Sequence, residues 1–457
     1  MSRLRRIGLA AALLAAVALA ACSPAAAPSP APDTGSPAAA DTVAEMDRIA
    51  REYVALVLEL GTHDEGYVDA YYGPAEWREA AEAEPRSVEA IRDAAGALAE
   101  EVAGLPRPAG EGGDAELLAL RRDYLGKQLR AVAARARMLA GERFSFDEES
   151  ALLYDAVAPT HDAAHFERLI AEVEGAVPGE GPLPERLARW RADFVIPPER
   201  LGAVFDAAIA ECRRRTLAHV DLPPEEGFRV EYVSGRPWSA YNWYQGDAQS
   251  LIQVNTELPI YVDRAIDLAC HEGYPGHHVY NALLEKHLVD DRGWVELSVY
   301  PLYSPQSLIA EGTANYGIEV AFPGDERQAF ERETLFPLAG LDPGRVDEYY
   351  RVLDLLEGLD YAGNEAARRY LDGAIDREEA AGWLVRYALS TPERAEQRVR
   401  FFDAYRSYVI NYNLGRDLVR RWVEARGGTA DDPARRWQVF EELLSTPRVP
   451  SGLAETE

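Results

Sequence analysis

Lysine is almost missing from this chain: Lys127 and Lys286 are the only two among 48 basic residues, and the rest are arginine. That bias reads as the mark of a GC-rich genome rather than a functional device. Acids outnumber bases, 77 to 48, for a formal net charge of −29. Nucleic-acid binding needs Lys/Arg clusters to meet phosphates, so that partner class is excluded. Cysteine is scarce as well, with three in 457 residues. Cys22 belongs to the N-terminal segment, and Cys212 with Cys270 cannot make a disulfide framework. Both lie in apolar helix-like contexts and are expected as buried free thiols, with a single disulfide as the alternative. No G-x-S-x-G elbow and no Gly-Lys-Ser/Thr phosphate loop occurs, which argues against serine hydrolases and nucleotide enzymes. No repeat of fixed period is visible.

What is present is enough apolar material for a core: 47% hydrophobic and 9% aromatic residues. The first 22 residues, "MSRLRRIGLAAALLAAVALAAC", combine Arg3, Arg5 and Arg6 with an apolar run and small residues before Cys22. This is the pattern of a secretory signal, and Leu19-Ala20-Ala21-Cys22 resembles a lipobox. Residues 1–21 are therefore expected to be removed and Cys22 lipidated, giving an exported envelope lipoprotein held to the membrane only by its lipid. Residues 22–41 are Ala/Pro/Ser-rich and read as a tether. Residues 42–450 read as a single domain with an N-terminal helical half, 42–225, and a catalytic half, 226–450.

Helical periodicity dominates that body, as in "DRIAREYVALVLEL" and "PERLGAVFDAAIAECRRRTLAHV". The exception is 228–260, which is aromatic, β-branched and punctuated by Ser234-Gly235 and Gly246-Asp247. The expected fold is mainly α, a multi-helix zincin-like body with a small antiparallel β-sheet beside a metal helix.

Directly after that sheet comes "HEGYPGHH" at 271–278. Zinc hydrolases use converging histidines and a carboxylate as ligands, and a further glutamate to take a proton from water. The usual helical spacing is H-E-x-x-H, and here Pro275 holds the place of the second histidine. In a regular helix His271 and His277 would diverge by about 600° of rotation, and His271 and His278 would lie about 10.5 Å apart along the axis. Pro275 removes a helix hydrogen bond and Gly276 relaxes the backbone, so a bulge that returns His277 to the ligand position is expected. His278 is the alternate. The third ligand is expected from "LIAEGTANYGIEVAF", with Glu311 ahead of Glu319. Glu272 is the candidate general base, and Tyr412 the candidate oxyanion donor, with Tyr408 and Tyr405 behind it. The 250–258 strand is placed either to pair with substrate by β-addition or simply to cover the helix. His161 and His165, spaced i, i+4, read as capping or solvated residues, with a second metal as the alternative. "HDEGYVDAYYGPAEW" at 63–77 reads as a helix end running into a turn, with lining the substrate cleft as the alternative.

The signature resembles the bacterial family known as domain of unknown function 885, with its H-E-x-x-P-G-H-H stretch and later E-G-W-A-x-Y-x-E helix. "LIQVNTELP" at 251–259, "NYNLG" at 411–415 and "YYGPAEW" at 71–77 are similar to other family elements. The resemblance implies a gluzincin-type zinc metallopeptidase with one zinc ion on His271, His277 or His278, and Glu311, and with Glu272 as base. Thr313 departs from the family's tryptophan, Asn411 replaces a small residue, and Ile318 stands where the second glutamate belongs. The expected substrate is a peptide, either short or taken in a carboxypeptidase-like mode. The rival reading is a non-catalytic peptide-binding or zinc-structural lipoprotein. Four protein ligands would favour that rival, three the enzyme.

Overall fold

The computed structural model describes residues 37–108 and 113–454. It is 67% helix and 7% strand, so the mainly α expectation holds. The lipobox and Cys22 lie outside the described residues. The first helix, Pro37–His63, begins inside the stretch read as tether. None of the described helices is long and apolar enough to cross a membrane.

At the centre runs the helix Pro305–Ala321. Pro305 starts it, where a missing N–H costs nothing. It carries almost no amphipathic contrast because nearly every residue is buried, and Asn315, Ile318 and Glu319 alone are partly open. Small residues make this packing tight. A Cβ on Gly312 would lie 2.5 Å from the backbone of Gly415, on the helix Ile410–Ala425. One on Gly317 would lie 3.0 Å from the Pro275 ring. The small residues of this helix thus serve two crossings, the helix Ile410–Ala425 as well as the histidine segment.

The sheet departs from expectation. Its strands are β2 (Gly227–Val233), β3 (Ala240–Gly246) and β4 (Gln249–Asn255), following β1 (Val68–Tyr71) in the chain. The order is β2-β4-β3, with β2 parallel and β3 antiparallel to β4. It is a mixed sheet rather than an antiparallel one. Asp247 and Ala248 turn back with positive φ, giving a tight β3–β4 hairpin, whereas the chain leaving β2 crosses to the far side of β4. Alternation cannot report that crossing, since it looks the same for either strand direction. A second ribbon pairs β1 with β5 (Val299–Pro301), joining the two halves of the body.

Candidate metal centre

The histidine segment opens as a helix, Asp263–Leu268, and widens into a π-helical turn over Ala269–Gly273. Tyr274 N–H donates to the Ala269 carbonyl at 3.2 Å, five residues back, and Gly276 N–H donates to that of Cys270 at 2.9 Å. A new helix then starts at His277 and runs to Leu284. Only glycine fits at 276, because a Cβ there would lie 1.8 Å from the His271 carbonyl oxygen. The backbone break absorbs the surplus residues, and His271 Nε2 comes to 3.2 Å from His277 Nε2.

Glu311 completes the group. Its Oε2 lies 3.2 Å from His271 Nε2 and 3.7 Å from His277 Nε2, and accepts a hydrogen bond from neither. Its Oε1 accepts from the Tyr408 hydroxyl at 2.8 Å. Among the described residues this is the single set of three metal-capable side chains whose donor atoms all lie within 4.8 Å. A buried carboxylate oxygen without a donor, facing two imidazole nitrogens, is a site built for a cation. Asn315 fixes the imidazole of His271. Its amide donates to the carbonyls of Glu311 (3.0 Å) and Tyr412 (3.3 Å), so its Oδ1 faces His271 Nδ1 at 3.2 Å. The Nδ1 therefore carries the proton, and Nε2 offers its lone pair to the centre. The donor set fits zinc: two imidazoles and one carboxylate, with one side facing a cleft.

The carboxylate and the two imidazoles are tightly coupled. Burial pushes Glu311 up, but the two imidazoles outweigh it and hold the carboxyl below the usual range. Burial lowers His277, and Glu311 more than compensates, raising it to about 9. Glu272 is buried, and that burial raises its carboxyl above the ordinary value against the pull of His271 and His277. Its backbone carbonyl accepts from Asn242 of β3 at 2.7 Å. Glu272, His271, His277, Glu311 and Tyr412 all line one cleft of about 870 Å³. Among the described residues no hydrogen bond engages the Tyr412 hydroxyl, whereas Tyr408 is committed to Glu311 and Tyr405 lines the cleft wall.

His278 is not in this group. Its Nε2 lies 3.1 Å from Glu226 Oε2 and its Nδ1 2.9 Å from Ser250 Oγ, wholly buried on the far face of its helix. Glu319 pairs with Arg420 instead. His161 and His165 stack on each other at 4.3 Å, beside a helix capped by Asp162. The β4 strand cannot take a substrate by β-addition, because β2 and β3 occupy both of its edges. It is β3 and the residues leading into it, Pro237 to Asn242, that line the cleft. The free-thiol expectation is also overturned: Cys212 and Cys270 form a disulfide. The helix Leu201–Thr216 packs on the π-turn and brings their Cα atoms to 5.7 Å, within bridging range.

Sequence reasoning missed Asn315 and Glu226, and offered Asp69 only within a stretch whose alternative reading was the cleft lining. Asn315 follows Glu311 by four residues and so shares its helix face, a signal that was present. Asp69 lines the cleft from β1, hydrogen-bonded by Tyr241 and pushed up to about 6 by burial. It lies in the 63–77 stretch, where lining the cleft stood as the alternative to a helix end and turn, and β1 reaches the site by pairing with a strand more than 200 residues away.

No family model matches the chain, and no curated protein matches it. Similar solved structures include a provisionally named lipoprotein of Colwellia psychrerythraea, at 15% identity and TM-score 0.49, covering 81% of this chain and 66% of that one. Another is an M32 carboxypeptidase from Deinococcus radiodurans, at 13% identity and TM-score 0.43, with 92% of this chain and 95% of that one covered. A third, a protein named CHT, stands at 10% identity and TM-score 0.39, with 90% and 92% covered. The present chain thus spans just under two thirds of the first protein's length. At these scores the likenesses carry no residue-level correspondence.

Proposed function

We propose that the protein is an exported, lipid-anchored zinc metallopeptidase of the domain of unknown function 885 kind, acting on short peptides from a helical, gluzincin-like scaffold. The observation that carries the reading is the convergence of His271 Nε2, His277 Nε2 and Glu311 Oε2 beside Glu272 in one cleft. Three protein donors with an open side favour catalysis over a structural role. One zinc ion would be held by these three residues, supplying a lowered water pKa and Lewis-acid polarisation of the scissile carbonyl. Glu272 takes a proton from the attacking water and passes it to the leaving amine; its burial raises its proton affinity toward that of a shuttle. Tyr412, whose own pKa burial holds well above 10, keeps its proton and donates a hydrogen bond to the developing oxyanion. Asn315 and Tyr408 hold His271 and Glu311 in register.

Zinc analysis and a peptide-library digest test the proposal together. The expected result is one zinc per chain, chelator-sensitive hydrolysis, and a Glu272→Gln variant that keeps its zinc while turnover falls by about 100-fold or more. Undiminished turnover in Glu272→Gln would remove the assigned base.

A further inference from the structure

Glu311 is held by the Tyr408 hydroxyl, and Tyr408 stands two residues beyond a backbone conformation that side chains resist. The helix Pro392–Tyr405 ends at Arg406, whose backbone lies at φ 52° and ψ −125°. Those angles belong to the first corner of a type II′ turn. Glycine adopts them freely, whereas a Cβ there crowds the neighbouring carbonyls. Ser407 and Tyr408 follow in the short turn Arg406–Val409, which opens into the helix Ile410–Ala425. A strained residue of this kind persists only where its surroundings over-determine it.

One carboxylate does this. Glu149, on the helix Phe146–Tyr154, is 1% exposed. Its Oε2 accepts from Arg406 Nε at 2.7 Å, and its Oε1 accepts from the Ser407 N–H at 3.1 Å and the Ser407 hydroxyl at 2.6 Å. Both oxygens are thus engaged by the two residues of the bend, through charge-assisted bonds stronger than neutral ones. Tyr154, from the same helix, meets the Tyr408 ring edge-on at 5.9 Å. The remaining path is short: the Tyr408 hydroxyl donates to Glu311 Oε1 at 2.8 Å, and the Tyr408 ring stands 5.9 Å from that of Tyr412. Glu149 itself does not line the cleft and is not one of the three metal-capable donors. Burying a charge is costly, and here every bond that offsets the cost is aimed at one bend.

We infer that Glu149 is a positioning residue for the metal centre: it locks the Arg406–Ser407 bend, and the bend sets the Tyr408 hydroxyl on Glu311. The inference rests on the zinc-peptidase reading above. Without the carboxylate, Arg406 relaxes toward negative φ, and the rotation is passed to Tyr408 two residues on. Glu311 then loses the bond that orients its Oε2 toward the two imidazoles, and the three donors no longer share one focus. Tyr412, about one helical turn beyond Tyr408, moves with it.

The test reads zinc affinity in the full-length protein, by competition with a chelator, beside melting temperature. Glu149→Gln keeps the shape but sets amide N–H groups against the donors of Arg406 or Ser407. It should raise the zinc dissociation constant by about 10-fold or more. Adding Arg406→Gly should bring that constant back to within about threefold of wild type, since glycine keeps the bend without help. Adding Arg406→Ala instead, which removes the same guanidinium but leaves the resisting Cβ, should not. A brace for the fold alone would lower the melting temperature of Glu149→Gln and leave zinc affinity unchanged, or would respond to alanine and glycine alike. Either outcome overturns the inference and leaves the zinc hydrolase standing. Should Glu149→Gln fail to fold, Arg406→Ala and Arg406→Gly alone carry the comparison: alanine should weaken zinc binding by about threefold or more, and glycine should not. A wild-type chain that binds no zinc sinks both the inference and the reading it rests on.

Discussion

One residue separates His277 from His278, and side chains one step apart leave a helix about 100° from each other. They consequently meet different chemistry. His277 faces the cleft and Glu311; His278 faces Ser250 and Glu226. Serine, histidine and glutamate in hydrogen-bonded succession have the order of a hydrolytic triad, but Ser250 is 2% exposed, His278 is 0% exposed, and neither lines the cleft. The cluster is a strut between the sheet and the histidine helix. His278→Ala should therefore keep one zinc per chain while losing about 2–4 kcal/mol of stability, the cost of stripping buried polar partners. If that variant lost zinc as completely as His277→Ala, the ligand assignment would be wrong. Glu226 adds a pH dependence. Burial raises its carboxyl, but hydrogen bonds from His278, Tyr274 and Arg213 outweigh it and bring the pKa from 4.5 to about 2. The unfolded chain takes up that proton first as pH falls. The stabilisation is thus complete above about 4.5 and drains away toward pH 2. Glu226→Gln should be less stable than wild type at pH 7 and lose less between pH 4.5 and 2, as followed by denaturant midpoints.

Among the secondary elements, the site depends on two helices crossing with no side chain between them. Gly312 and Gly415 face each other, and a Cβ on Gly415 would come within 2.7 Å of the Leu308 carbonyl oxygen. Gly415→Ala should push the helix Ile410–Ala425 outward, carrying Tyr412 and the Tyr408 hydroxyl away from Glu311. Zinc affinity should fall by about 10- to 100-fold, as it does when the partners of ligands are lost; unchanged affinity in a chelator competition would show that the crossing does not set the site. The helices were legible in the sequence because a 3.6-residue period is local, and the Pro275-Gly276 break was legible because it contradicts that period. The identity of Glu311 was readable from its small neighbours, but Gly312 turned out to serve the helix Ile410–Ala425. Of the two roles left open for β4, the paired edges exclude β-addition and leave it covering the histidine helix, with Ser250 against His278. Which strand lies central is a property of chain crossings, so β4 carried the right pattern while β3 lines the cleft. The disulfide stood only as the alternative for the same reason, since only the docking of two distant helices brings Cys212 to Cys270.

For the molecule as a whole, the two sequence halves are interlocked. β1 pairs with β5, and the buried Arg121 guanidinium bonds both Glu296 and Asp47. The disulfide is a third tie, joining the helix Leu201–Thr216 to the residue before His271, the first of the proposed metal ligands, across 58 residues of sequence. Closing a loop of that length removes unfolded-state entropy worth about 4 kcal/mol in the chain-entropy model. It also restrains the π-turn that must stay open for His271 to face His277. Such a bond persists only in an oxidising compartment, in keeping with the export expected from the N-terminal segment. Replacing both cysteines, Cys212→Ala with Cys270→Ala, should lower the melting temperature by several degrees, as should reducing the wild type. Zinc affinity should weaken in parallel, because the freed turn samples conformations in which the histidines diverge. Titrating zinc against a chelator in oxidised and reduced protein separates the two effects. A drop in melting temperature with identical zinc affinity would make the bond a brace for the fold alone, and the histidine geometry would then be held by the Pro275-Gly276 break and its packing against Gly317.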